Sequence, residues 1–163
     1  MSNAKIRHWI YLAIGFLILC GGAWFLLLRD SKLTEDYLNN EILGTHSDDL
    51  KAVVSYLSAK GGENRYDLTD LPSIDNSHFG VPTEDSDEYR SYNSAVISLM
   101  RTTFDEIIYE DGSIRFITPR SGGLLHSDYL ILAYNETAPL ISNAPQTPTE
   151  QKNWSYYLVT EKE

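Results

Sequence analysis

A single cysteine, Cys20, stands among 163 residues, and it lies inside the long apolar run near the amino terminus. The residues beyond that run therefore have no disulfide staple, no thiol nucleophile and no thiolate metal site. Basic residues are scarce as well. After Lys32, nine lysines and arginines face 22 acidic residues, a formal charge of −13 against −10 for the whole chain. Such a field repels phosphates beyond a Debye length of ~8 Å, which argues against nucleic acid as a partner. A basic partner and plain solubility both fit the acidity. No G-x-S-x-G turn occurs to hold a nucleophile, and no internal repeat suggests a solenoid or propeller.

What the sequence does hold, first, is an uncharged stretch of 20 residues from Trp9 to Leu28. At ~1.5 Å per residue a helix of this length spans ~30 Å, the thickness of a bilayer's hydrocarbon core. Gly15, Gly21 and Gly22 would weaken such a helix in water, whereas Lys5, Arg7, Arg29 and Lys32 suit headgroups at its flanks, and Trp9, Tyr11 and Trp24 sit near its ends. Lipidation at Cys20 needs a small residue before it, and Leu19 stands there. Cleavage after Gly22 or Ala23 finds small residues in place, but "WFLLL" continues the apolar run where a signal peptide turns polar, so an uncleaved anchor is expected. The flanking positive charges are nearly balanced. The short amino-terminal tail and the few basic residues downstream favour amino terminus in and carboxyl terminus out. No small-xxx-small pair marks a dimerisation face, since Gly15 meets Leu19 and Gly22 meets Leu26. The expected division is a cytoplasmic tail 1–8, a transmembrane helix 9–28, a juxtamembrane helix or linker 29–46 and a soluble acidic domain 47–163.

The 131 residues from 33 to 163 suffice for one compact domain, and eleven tyrosines and five phenylalanines in the chain supply large apolar pieces with polar tips. Leu33, Tyr37, Leu38 and Ile42 recur at helical spacing. Ser47 is the expected N-cap of a second helix, with Asp48 and Asp49 at its positive end, Leu50, Val53, Val54 and Leu57 on one face, and Gly61-Gly62 as its stop. Residues 63–82 read as a long loop with a short extended piece near 66–71. A further helix begins between Thr83 and Ser86 and carries Tyr89, Tyr92, Val96, Leu99, Met100 and Phe104 along one side.

At "EIIYEDGSIRFIT" the period changes from helical to alternating, and Asp111-Gly112 is the signal of a two-residue type I′ turn. Pairing through it sets Tyr109 opposite Ile114 and Ile107 opposite Phe116, with Glu110 and Arg115 on the other face. "DYLILAY", residues 128–134, is apolar on both faces and reads as an inner strand, and "WSYYLVT", residues 154–160, as a fourth. The fold expected is two-layer α+β, helices packed on one face of a three- or four-stranded antiparallel sheet.

Three kinds of site have candidate residues. Ser121 or Ser127 with His126 as base, beside Asp128, would make a small hydrolase, against the plainer reading of Gly122-Gly123 as a turn entering a strand. His46 with Asp48 and Asp49, or His78 with Glu84, Asp85, Asp87 and Glu88, would suit calcium, but "DSDEYRSYNSAV" lacks the ligand order of an EF-hand loop, and acids at helix starts explain both groups. Tyr89, Tyr92, Tyr129, Tyr134, Tyr156 and Tyr157 are core or sheet packing wherever covered and interface residues wherever not. Asn135-Glu136-Thr137 and Asn153-Trp154-Ser155 are sequons that matter only in a host that glycosylates exported chains. No catalytic, cofactor or metal residue is assigned, and no enzymatic activity is expected.

The run "FITPRSGGLLHSDYLILAYNETAPL", residues 116–140, resembles small exported or membrane-anchored bacterial proteins of unknown function. The resemblance covers about a sixth of the chain, implies an accessory role in a bacterial envelope and transfers no catalytic residue. The leading expectation is a single-pass envelope protein whose acidic outer domain binds another protein, in an accessory or immunity-type role. A ligand or calcium sensor using residues 63–90 and a small hydrolase using His126 are the alternatives.

Overall fold

Local sequence signals place most of the elements in the computed structural model, which describes residues 33–63, 65–68, 84–122, 126–137 and 144–162. The expected membrane anchor lies outside the described residues, and among them no helix is long and apolar enough to cross a membrane. The described residues start with α1 (Tyr37–Leu43), wound as a π-helix that buries Leu38, Ile42 and Leu43. Its first turn is held by Thr34, whose Oγ1 accepts the Tyr37 N–H at 3.2 Å.

Helix α2 (Ser47–Lys60) has Asp48 and Asp49 in its first turn and Lys60 in its last, each complementing the helix dipole. Its N-cap is His46 rather than Ser47, and no side-chain cap bond forms there. His46 instead shares a 2.9 Å hydrogen bond with Thr103 Oγ1. Leu50, Val53 and Leu57 are buried as expected, but Tyr56 takes the fourth buried place and Val54 is only half-buried. Aromatic packing decides this: the Tyr56 ring stacks on Tyr92 at 4.4 Å and meets Tyr89 edge-on at 5.7 Å. The helix stops at Gly61, where a Cβ would overlap the Tyr109 ring and lie 2.6 Å from Leu57 O. Glycine serves here for space, since its backbone is ordinary right-handed helix.

Helix α3 (Asp87–Thr102) opens at Ser86, whose Oγ accepts the Tyr89 N–H at 3.1 Å, an N-cap of the usual chemistry. Its buried face carries Tyr89, Tyr92, Val96, Leu99 and Met100 at the expected spacing, with Ala95 added and Phe104 buried just beyond its end.

The strands are β1 (Tyr66–Leu68), β2 (Glu106–Glu110), β3 (Ser113–Ile117), β4 (Ser121–Gly122), β5 (His126–Tyr134), β6 (Thr147–Pro148) and β7 (Trp154–Lys162). They form one antiparallel sheet in the order β1-β2-β3-β5-β7-β6, with β4 also pairing β5. The β2–β3 hairpin pairs Tyr109 with Ile114 and Ile107 with Phe116, turning through Asp111 at φ 51° and Gly112 at φ 81°. A two-residue turn of this hand needs positive φ at both positions, which is why the Asp-Gly pair was legible.

The α+β architecture agrees with the sequence reading, but the sheet has seven strands rather than three or four. The additions, β1, β4 and β6, are two or three residues long, too short to show an alternating pattern. Strand β5 lies between β3 and β7, with β4 beside its first residues, and its double-sided apolarity has a use on each face. Leu130 and Leu132 join Ile107, Ile114, Phe116, Trp154 and Tyr156 in the main core shared with α1, α2 and α3. Ile131 and Ala133 join Tyr157, Val159 and Ala144 in a second buried cluster, flanked by Ile117 and Tyr129.

Candidate functional site

The pleat of β5 separates the residues of the hydrolase reading. His126 and Asp128, two apart, share a face, with Nε2 3.6 Å from Asp128 Oδ2. Ser127 between them projects to the opposite face and is out of reach of that imidazole. Ser121 is opposed to Asp128 across the β4–β5 ladder, so it joins the carboxylate's side. The His126–Asp128 separation is longer than a hydrogen bond of about 2.6–3.2 Å. Ser121 lies within the two-residue strand β4.

Most of the metal candidates are engaged elsewhere. His46 has Thr103 on Nε2 and only a 3.9 Å approach of Asp49 on Nδ1, while Asp48 faces Lys51 at 3.5 Å. Lys60 bonds Glu84 at 3.0 Å, and Arg90 bonds Asp85 at 2.5 Å and Asp87 at 3.1 Å. His78 lies outside the described residues. Among the described residues no group of three or more histidine, cysteine or acidic side chains converges to hold a metal.

Arg65, Asp67, Glu110 and Arg115, on the outward side of β1, β2 and β3, are also paired internally. Arg65 bridges Asp67 at 3.2 Å and Glu110 at 2.7 Å, and Arg115 bridges Glu110 at 3.3 Å and Glu136 at 2.7 Å. The hydrogen bond from Arg65 is the main influence lowering the Glu110 pKa. The chain joins these residues into a clasp across three strands and the segment after β5, which accounts for the charged side of the hairpin without a ligand.

Of the six tyrosines singled out by sequence, Tyr89, Tyr92, Tyr156 and Tyr157 are buried, and Tyr129 and Tyr134 are half-buried. Tyr134 meets Trp154 edge-on at 5.2 Å. Tyr129 lies on the sheet face away from the helices, under the Arg120 guanidinium at 5.4 Å, and its hydroxyl donates to Glu161 Oε1 at 3.2 Å. Burial, then this bond to a carboxylate, raises the Tyr129 pKa.

The open concavity with the most suitable chemistry lies between α2 and α3. It encloses about 570 Å³, with Ala52, Ser55 and Ala59 on one side, Asp87, Glu88 and Ser91 on the other, and Tyr56 and Lys60 completing the lining. Small side chains on α2 leave the space, and the Tyr56 ring, fixed by its stack on Tyr92, supplies a rigid aromatic surface. The Lys60 ammonium is already bonded to Glu84. Burial first, and the Glu84 carboxylate next, raise the Tyr56 pKa, with Glu88 adding in the same sense. Burial disfavours any charge, but the Glu84 and Glu88 contribution favours a cation in the same place. Sequence reasoning named the acids at the start of α3 but missed Tyr56, Ser55 and Ala59, because their spacing on α2 marks a helix face without saying what the neighbouring helix leaves uncovered.

No family model matches the chain, and the comparisons with curated proteins and with solved structures likewise find no match.

Proposed function

We propose that this chain is a single-pass membrane protein of a bacterial envelope, held by residues 9–28 with its amino terminus cytoplasmic, whose acidic outer domain binds another protein in an accessory or immunity-type role. The observation that carries the reading is the acidic cleft between α2 and α3, walled by Tyr56 and rimmed by Glu88 and Asp87. Its shape admits a side chain or helix ridge of a partner, its aromatic wall offers contact area already ordered before binding, and its field selects a basic group. The charge of −13 beyond Lys32 extends that selection to longer range by steering a basic partner toward the domain.

The test is site-specific photo-crosslinking of the full-length chain in its native membranes, with the photoreactive residue at Ser55 or Ser91 and, as control, at the exposed Lys152. The expected result is one protein adduct from the two cleft positions, absent at the control and weakened several-fold by Glu88→Lys. An adduct of equal yield at Lys152, or one indifferent to Glu88→Lys, would refute recognition through the cleft.

A further inference from the structure

The β7 strand is nine residues long, but its outer neighbour β6 pairs with only two of them, Ser155 and Tyr156. On the side toward Leu158 β6 stops at Thr147, since the register that sets Thr147 opposite Tyr156 would set Pro145 opposite Leu158, and a proline lacks the N–H with which a strand would extend its ladder. The direction of the remaining backbone groups follows from hydrogen bonds at the start of β7. Asn153 O accepts the Asn135 N–H at 2.8 Å, so it points toward the β5 side, whereas Trp154 O accepts the Thr149 N–H at 3.0 Å on the β6 side. Alternation along a strand then turns the N–H and C=O of Leu158 and Thr160 away from β5.

The opposite side of the ladder gives the same answer. Leu130, the cross-strand partner of Leu158, donates to Thr118 Oγ1 at 2.9 Å and accepts the Thr118 N–H at 2.9 Å, so its backbone is turned toward the β3 side and away from β7. Among the described residues nothing pairs with the backbone of Leu158 or Thr160. Leu158 is also the exposed large apolar side chain of the described surface, at 41 %. Natural sheets blunt such edges with inward charges, bulges or proline, and the register from Trp154 to Lys162 runs without a bulge.

We infer that the outer edge of β7 from Leu158 to Lys162 receives an extended segment of a partner protein as an added strand, one in which apolar and basic residues alternate. The inference rests on the protein-binding reading and assigns it a second surface, separate from the α2–α3 cleft. Residues of the added strand that stand beside Leu158 and Thr160 share their face and take apolar contact. Those between them stand beside Val159 and Glu161; Arg120 already bridges Glu161 at 3.1 Å, so it is the charge of −13 beyond Lys32 that calls for lysine or arginine there. A second copy of this chain is the less favoured occupant, because it brings another −13 of charge to the same edge. Main-chain bonds supply affinity in such an arrangement and side-chain alternation supplies selectivity.

The test measures amide hydrogen exchange at Leu158 and Thr160 in the full chain, held in zwitterionic detergent, with capped peptides of about eight residues. A peptide alternating valine and lysine is expected to slow both amides by about tenfold or more at millimolar concentration. The same peptide N-methylated on its bonding edge, and a valine–glutamate peptide, are expected to leave them unchanged. Thr160→Pro, whose missing N–H points outward, is expected to abolish the effect while exchange at Tyr129 and Val159 stays as in the parent. No slowing with the valine–lysine peptide, or equal slowing with the N-methylated or acidic peptide, overturns the inference. So does protection of these amides without peptide in a sample that sediments as a dimer, which assigns the edge to a second copy. Cleft crosslinks from Ser55 and Ser91 that persist while the edge fails leave the protein-binding reading standing alone.

Discussion

Tyr92 and Tyr109 provide a matched pair of perturbations with opposite expected signs. Both rings are buried, with exposures of 1 % and 3 %. The Tyr109 hydroxyl donates to Gly62 O at 2.7 Å, whereas the Tyr92 hydroxyl is buried without a hydrogen-bonding partner among the described residues. Removing a satisfied hydroxyl loses a bond worth about 1 kcal/mol net, while an unsatisfied buried one costs about 1–3 kcal/mol to keep. Tyr92→Phe preserves the 4.4 Å stack on Tyr56 and deletes only the stranded oxygen. The expected gain is about 1 kcal/mol for Tyr92→Phe, and a loss of similar size for Tyr109→Phe, because Gly62 is exposed and water replaces part of its bond. With a urea slope of about 2 kcal/mol/M these become midpoint shifts of about half a molar upward and downward. Urea unfolding of the full chain in mild detergent, followed by near-ultraviolet circular dichroism, reads both. Burial also raises the Tyr92 pKa far above its ordinary 10.0, so its neutral form is retained on folding. That contribution is fully present below pH 10.0 and is lost progressively above it, and Tyr92→Phe should flatten the alkaline decline. A Tyr92→Phe midpoint equal to or below the parent's refutes the reasoning and indicates a partner for the hydroxyl, such as a buried water.

Two other substitutions test the packing and the clasp. Gly61→Ala drives a methyl into the Tyr109 ring and against Leu57 O, and it should destabilise by about 1–3 kcal/mol in the same urea assay; a neutral result would mean that α2 and β2 separate easily. Arg65→Ala removes the main cause of the lowered Glu110 pKa. A lowered carboxylate pKa contributes stability above the unfolded value, ordinarily 4.5, that disappears as pH falls through the folded one. The variant should therefore show a shallower acid decline below pH 4.5, read as the urea midpoint against pH, and a parent-like acid limb would show that the Arg65–Glu110 contact does not form in solution.

Sequence alone determined the elements whose instructions are local. Asp111-Gly112 specified both the turn and its register, since positive φ at two adjacent positions admits few residues and a one-residue slip would turn Ile107 and Phe116 out of the core. Ser86 and the tyrosine–leucine face behind it similarly marked α3. The acidity and the apolar stretch 9–28 were legible for the same reason, being properties of composition and run length, although the stretch lies outside the described residues. Tertiary structure alone decided the rest. It chose Tyr56 over Val54 for the core because Tyr89 and Tyr92 arrive from another helix, and it separated Ser127 from His126 by the pleat of β5. It also created the cleft and the unpaired stretch of β7, which depend on where α3 stands and where β6 stops. A side chain's burial is set by its own pattern, but a surface is what remains after every neighbour has docked, and no residue's own sequence context records how far its neighbour extends.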